Sequence, residues 1–167
     1  GENVIAASVA ASEGKFTGLG TMHPECEDIP AEIAHLKDLG LKGIKIHPDY
    51  MKVEIDSTAF TPIFKSCEER NLFVITHAGF DPVEPNHVHC SPDMVLRVMD
   101  RHPALKLVVA HAGGFDRERE VLDKLCGAPV WLDTSLFGSV QWLGGFLSPG
   151  WSISWAAASM YVASGYS

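Results

Sequence analysis

Five times within its first 135 residues the chain runs a short apolar stretch into a residue able to bind a metal or move a proton: His23, His47, His77, His111 and Asp133. The gaps between them, 22 to 34 residues, each leave room for one helix and its turns. Stretches such as FVIT and LVVA lack a polar face, as expected of strands covered on both sides. Helix signals fill the gaps. Asp28 caps a helix from about Pro30 to Leu39, which Gly40 stops; Asp56 or Ser57 caps one running to Arg70; Ser91 caps one ending near Arg101; a charged helix spans about Asp116 to Leu125. Upstream, the Ala- and Val-rich stretch from Asn3 to about Ser12 predicts a short helix with Asn3 as its cap. Strands alternating with helices in this way predict right-handed βαβ units on a parallel sheet, an α/β fold.

In a parallel barrel all strand carboxyl ends lie at one rim, so these five residues, distant in sequence, would converge. Strand alternation adds that Lys45 and His47 share one side, toward the interior, while Ile44 and Ile46 face the helices. An interior ammonium must find a carboxylate, shift its pKa, or be modified to a metal-bridging carbamate. Plainer roles stand beside the catalytic ones. His23-Pro24 and His47-Pro48 also work as turns, because proline fixes φ and stops a strand. His77 and His111, each followed by Ala and Gly, point more strongly to a site, since the glycines permit a tight turn and close approach of a ligand. Asp133 can act in catalysis or cap the segment after it. His87 and His89, in the loop after the third histidine-bearing strand, either line a substrate pocket or sit in solvent. His35 and His102 read as helix-surface residues.

A net charge of -8 with no Lys or Arg stripe argues against nucleic acid as a partner. With 46% hydrophobic and 20% charged residues, the chain can build a sizeable core. Cys26, Cys67, Cys90 and Cys126 are scattered without a C-x-x-C pair, which predicts free thiols and a reducing, cytoplasmic location. Gly1 opens the chain with no initiator Met and no signal-peptide pattern, and a missing upstream part is expected. Partners reduce to a small-molecule substrate, with an oligomer permitted.

The runs GLGTMHPE, LKDLGLKGIKIHPDY, FVITHAG, HPALKLVVAHAGG and VWLDTS, in that order from about Lys15 to Ser135, resemble the amidohydrolase-related family of metal-dependent TIM-barrel enzymes. The resemblance implies a (β/α)8 barrel with a divalent metal, usually zinc, at its carboxyl rim. In such families a first strand supplies an H-x-H pair, the fifth and sixth strands each a His, and the last strand an Asp. His77 matches the fifth-strand position and His111 the sixth; Lys45 sits on the fourth strand, where some members carry a carboxylated, metal-bridging Lys. His77, His111 and Lys45 are therefore the implied metal residues, His111 and Asp133 the catalytic ones, and His47, His87 and His89 the substrate-binding ones. A metal there lowers the pKa of bound water and polarises a carbonyl. Hydrolysis of a C-N or C-O bond in a small molecule is the leading expectation. Decarboxylation by a similar site, or an inactive truncated homologue, is the alternative.

The pattern departs from the family at both ends. No H-x-H precedes His77, and the only one present, His87 with His89, follows the fifth-strand motif. The chain thus carries about five of eight strands, an incomplete barrel over residues 1–135, with too few ligands for a tight, catalytic zinc site by itself. Residues 136–167 carry no charged side chain and are rich in Trp, Ser, Gly and Ala. Pro149-Gly150 and the small residues interrupt any membrane span. A disordered tail or a gene-end artefact is expected there.

Overall fold

The computed structural model describes residues 1–135, and the expectations for 136–167 lie outside them. Helix α1 (Glu2–Ala11) precedes a chain of parallel units: β1 (Leu19–Thr21), α2 (Ile29–Asp38), β2 (Gly43–Ile46), α3 (Pro48–Met51), α4 (Thr61–Arg70), β3 (Phe73–Thr76), α5 (Pro92–Arg101), β4 (Lys106–Val109), α6 (Glu118–Lys124) and β5 (Trp131–Leu132). All five strands form one sheet in the order β1-β2-β3-β4-β5, each parallel to the next. Sequential order with right-handed crossovers puts successive helices on the same face, the winding of a barrel rather than of a doubly wound sheet.

Local chemistry explains the boundaries. Asp28 accepts from Ala31 N at 3.1 Å to start α2, and Ser91 accepts from Met94 N at 3.4 Å to start α5, each followed by a proline in the first turn. Gly40 ends α2 at φ +82°, with its N–H on the Lys37 carbonyl. Three expectations needed adjustment. Asn3 lies inside α1, whose cap is Gly1. Ser57 caps a separate 3-10 turn, Thr58–Phe60, ahead of α4, while the Asp56 carboxylate takes Arg97 Nε at 2.6 Å. The first strand is shorter than the apolar run Phe16 to Met22, since Phe16 stands 66% exposed.

The core forms where the sheet meets the helices. Ile44, Ile46, Val74, Leu107 and Val109 present one side of each strand and pack with Ile33, Leu36, Ile63, Phe64, Val95 and Val98. Register aligns Thr21, Lys45, Ile75, Val108 and Trp131 in one row across the sheet. Lys45 thus lies on the face opposite Ile44 and Ile46, as alternation requires.

Candidate metal centre at the strand ends

One step past the strands, the same register brings His47 beside His77. Their rings stack with centroids 4.1 Å apart and planes 11° from parallel, and Tyr50 stacks on the other partner of the column, His47, at 3.9 Å. Two carboxylates close the space around these rings. Asp81, in the loop after β3, places Oδ2 3.5 Å from His47 Nε2 and 3.7 Å from His77 Nε2. Asp49, on α3, places Oδ2 3.7 Å from His77 Nε2 and 3.9 Å from His47 Nδ1. Asp49, His77 and Asp81 are all buried.

Neither carboxylate was singled out by the strand-end pattern. Asp49 follows the His-Pro turn, so its only sequence signal is a carboxylate two residues past a strand-end histidine. Asp81 carries even less, being one acidic residue in a Pro-rich loop. It is held by its own turn, with Oδ1 accepting from Val83 N at 2.7 Å.

These residues fit a divalent cation, and the test is their unmet bonding. His47 Nδ1, Asp49 Oδ2 and His77 Nε2 are buried without a hydrogen-bond partner among the described residues. Buried polar atoms are rarely left so, and His77 Nε2 with Asp49 Oδ2, 3.7 Å apart, form a pair that a cation or an ordered water would satisfy. The spacing agrees. Separations of 3.5 to 3.7 Å are too long for hydrogen bonds, yet two donors each about 2.1 Å from one tetrahedral cation lie roughly 3.4 Å apart. The donor atoms of His47, His77 and Asp81 all lie within 4.8 Å of one another.

His111 reaches this centre by an unusual route. Parity with Val109 would send its side chain toward the helices, but the backbone turns left-handed at His111 (φ +59°) and Ala112 (φ +54°). The turn swings the ring back, and His111 Nε2 meets His77 Nδ1 at 3.0 Å. Asp133 anchors the turn, its Oδ1 accepting from His111 N at 2.8 Å, Ser135 N at 2.9 Å and Ser135 Oγ at 2.6 Å.

The other expected site residues lie at different depths. The Lys45 side chain has no ion pair or hydrogen bond among the described residues, and partial burial pushes its pKa down to about 8 against the pull of Asp133. His89 is buried, with Nδ1 3.1 Å from Asp49 Oδ1. His87 is exposed and bonds Glu54 Oε1 at 3.1 Å, and His23, also exposed, accepts from Glu25 N in its turn. His35 is exposed as expected. His102 is not: it is 6% exposed, packs edge-on against Phe64 and bonds Glu68 Oε2 at 3.2 Å, because the chain after α5 folds back over α4.

Burial dominates the electrostatics of the histidines. It pulls His77 down to about 3, with His47, His111 and Lys45 adding to the effect. His47 and His111 are lowered for the same first reason, with Asp81 opposing at both. The rings are neutral at pH 7 and offer lone pairs, the form that binds metals. The four cysteines are free thiols, and burial raises Cys90 to about 12. No helix among the described residues is long and apolar enough to cross a membrane.

A singly wound parallel sheet with helices on one face and a His- and Asp-lined centre at its strand ends defines part of a TIM-type barrel. The solved structures it matches agree. An uncharacterized TIM-barrel protein from Bordetella bronchiseptica matches with TM-score 0.69 and 20% identity over 81% of this chain and 49% of that one. The 5-carboxyvanillate decarboxylase of Sphingomonas paucimobilis matches with TM-score 0.64 and 23% identity over 86% and 56%. That of Novosphingobium aromaticivorans, complexed with manganese and 4-hydroxy-3-methoxy-5-nitrobenzoic acid, matches with TM-score 0.56 and 23% identity over 72% and 39%. Other matched structures include a 2,6-dihydroxybenzoate decarboxylase and a protein described as a probable 2-pyrone-4,6-dicarboxylic acid hydrolase. The chain spans about half the length of the first of these structures. The family model for amidohydrolases matches residues 2–161, and the chain belongs to that family. Its members bind divalent metals.

Proposed function

We propose that the chain forms part of the active site of a metal-dependent hydrolase that breaks a C-N or C-O bond in a small carboxylated substrate. The observation that carries this is the unpartnered pair His77 Nε2 and Asp49 Oδ2, 3.7 Å apart, with Asp81 Oδ2 3.7 Å from His77 Nε2 and 3.5 Å from His47 Nε2. When bound there, a divalent cation supplies Lewis acidity, acidifying water and polarising a carbonyl or carboxylate. His47, His77 and Asp81 would hold it. Asp49 adds negative charge next to His77 and, through Oδ1, fixes His89. Imidazole with carboxylate suits zinc, which is our first assignment, and also manganese, the metal in one matched decarboxylase.

This chain's own residues divide the remaining work. Lys45, half-buried without a carboxylate partner among the described residues and with its pKa near 8, is placed to bind a substrate carboxylate or to take up carbon dioxide as a carbamate. Tyr50, 47% exposed, stacks on the His47 ring and presents an aromatic face to solvent. His87, near the rim but in solvent, is assigned to substrate contact only at the outer edge.

A second reading, decarboxylation, is favoured by the names of several matched structures. One experiment separates the two. The full-length protein, loaded with zinc or manganese, is given a panel of small amides, lactones and aromatic carboxylates in 18O-labelled water. Hydrolysis puts 18O into the product; decarboxylation releases carbon dioxide without doing so. A loaded protein that does neither, or that retains no metal, would overturn the proposal. We also assign the protein to the reducing cytosol, on the strength of its four free cysteines.

A further inference from the structure

One residue, His89, orients the Asp49 carboxylate. Asp49 Oδ1 lies 3.1 Å from His89 Nδ1 and accepts from the His89 peptide N–H at 3.4 Å, and the carboxylate has no other hydrogen bond among the described residues. With one oxygen held twice by the same residue, Oδ2 is left toward His77 Nε2 at 3.7 Å and His47 Nδ1 at 3.9 Å. The His89 carbonyl accepts from Ile55 N at 2.8 Å. Ring, amide and carbonyl of His89 thus all bond the segment that follows β2. One position on, the Cys90 carbonyl accepts from Gly79 N at 3.0 Å and closes the neck of the loop that carries Asp81. The first turn of that loop also meets His77, through a backbone hydrogen bond between Phe80 and the ring.

We infer that His89 is a positioning residue for the candidate centre: its ring and peptide hold the Asp49 carboxylate so that Oδ2 faces His77, while its carbonyl pins the neck of the loop that brings Asp81 to the same ring. The purpose of this arrangement rests on the metal-dependent reading; its hydrogen bonds do not. All of these groups are shielded from water, since Asp49, Ile55, His89 and Cys90 are buried, and a hydrogen bond lost in such surroundings leaves a polar group unmet. Two other links join the same segments, Lys52 Nζ with Glu84 Oε1 at 3.3 Å and His87 Nε2 with Glu54 Oε1 at 3.1 Å, but they reach into solvent, where such pairs hold little. The arrangement also changes the part His89 plays. Its ring is packed edge-on against His87 at 4.3 Å and has no hydrogen bond or ion pair with His47, His77 or Asp81 among the described residues. It acts on the centre through Asp49.

The test titrates zinc alone into the metal-free full chain. His89→Leu keeps the bulk and removes the ring nitrogens, and zinc affinity should fall about tenfold or more. His89→Asn can place its amide nitrogen near the position of Nδ1 and should stay within about threefold of the parent. Because the ring acts through Asp49, His89→Leu added to Asp49→Ala should cost less than about twofold further. Urea midpoints of the same metal-free chains should show the same dependence, His89→Leu lowering the midpoint much more when the Asp49 carboxylate is present. Equal His89→Leu losses with and without that carboxylate overturn the proposal, as does a folded His89→Asn chain that binds zinc as weakly as His89→Leu. The unmutated chain supplies a check that needs no variant to fold. Hydrogen exchange should find the His89 amide protected, and a His89 amide exchanging as fast as an exposed loop amide overturns the proposal. If the midpoints couple and the amide is protected, yet the unmutated chain takes up no zinc or manganese, the metal-dependent reading fails while the hold of His89 on Asp49 stands.

Discussion

The carboxylate of Asp49 is bound on one oxygen and free on the other: Oδ1 lies 3.1 Å from His89 Nδ1 and 3.4 Å from His89 N, while Oδ2 faces His77 with no hydrogen-bond partner. The two residues are 40 positions apart and both are buried. Asp49 thereby ties the loop after β3 to α3 and leaves a negative oxygen beside the candidate metal ligands.

Asp49→Asn keeps the shape and removes the charge. Zinc affinity should fall about 10- to 100-fold, and stability by about 1–3 kcal/mol as the His89 bonds weaken. Isothermal titration and urea unfolding measure the two effects. Unchanged zinc affinity would exclude Asp49 from the centre.

Lys45→Met removes a half-buried ammonium that has no salt bridge among the described residues. Its folded-state pKa, about 8, lies below the ordinary 10.5, so keeping it charged costs stability below pH 8. That cost fades between pH 8 and 10.5 and is gone above. The substitution should therefore raise stability by about 1–3 kcal/mol at pH 7 and by nothing near pH 11. Urea unfolding at several pH values tests this, and loss of activity in the stabilised variant would mark Lys45 as a residue kept for function.

Acid should destabilise the fold through the buried histidines. His77 has a folded-state pKa of about 3, below its ordinary 6.5, so the unfolded chain takes up protons first. Stability is full above about pH 6.5 and declines as pH falls toward 3, by at most a few kcal/mol from this residue. His77→Gln should flatten that part of the pH profile. An unchanged slope would show that other groups control it.

Gly79→Ala tests the loop that carries Asp81. A Cβ there would lie 2.2 Å from Phe115 N and 2.3 Å from Phe115 O, at a φ of +88°. Those atoms are backbone, held by Phe115 N on Ala78 O at 3.0 Å and Phe80 N on Phe115 O at 2.8 Å. A loss of about 3 kcal/mol or more is expected, with zinc binding weakened because Asp81 moves. A melting temperature within a degree of the parent would contradict the close approach.

Much of the fold was legible in the chain because it is written in local chemistry. Apolar runs of strand length, Asp28 and Ser91 as caps, and the helices between them predicted five parallel strands with their carboxyl ends at one rim. The resemblance of the spaced His motifs led to the amidohydrolase family, which the family match bears out. Strand alternation also placed Lys45 and His47 on the interior side. These features depend on neighbours within a few residues, and periodicity reports them.

The tertiary structure alone decided which polar residues lose water and whom they meet. Asp49 and Asp81 looked like ordinary loop carboxylates until α3 and the loop after β3 closed over His77. His102 seemed a surface residue until the chain folded onto Glu68 and Phe64. His87 and His89 are two positions apart, yet one pairs with Glu54 in solvent and the other is buried against Asp49. His111 reached His77 through a left-handed turn that strand parity would have denied it. In each case the deciding contact joins segments more than 20 positions apart or depends on a backbone angle held by such a contact, except for the short step from His77 to Asp81. Desolvation is set by what packs above a residue, and no local pattern in the sequence records that.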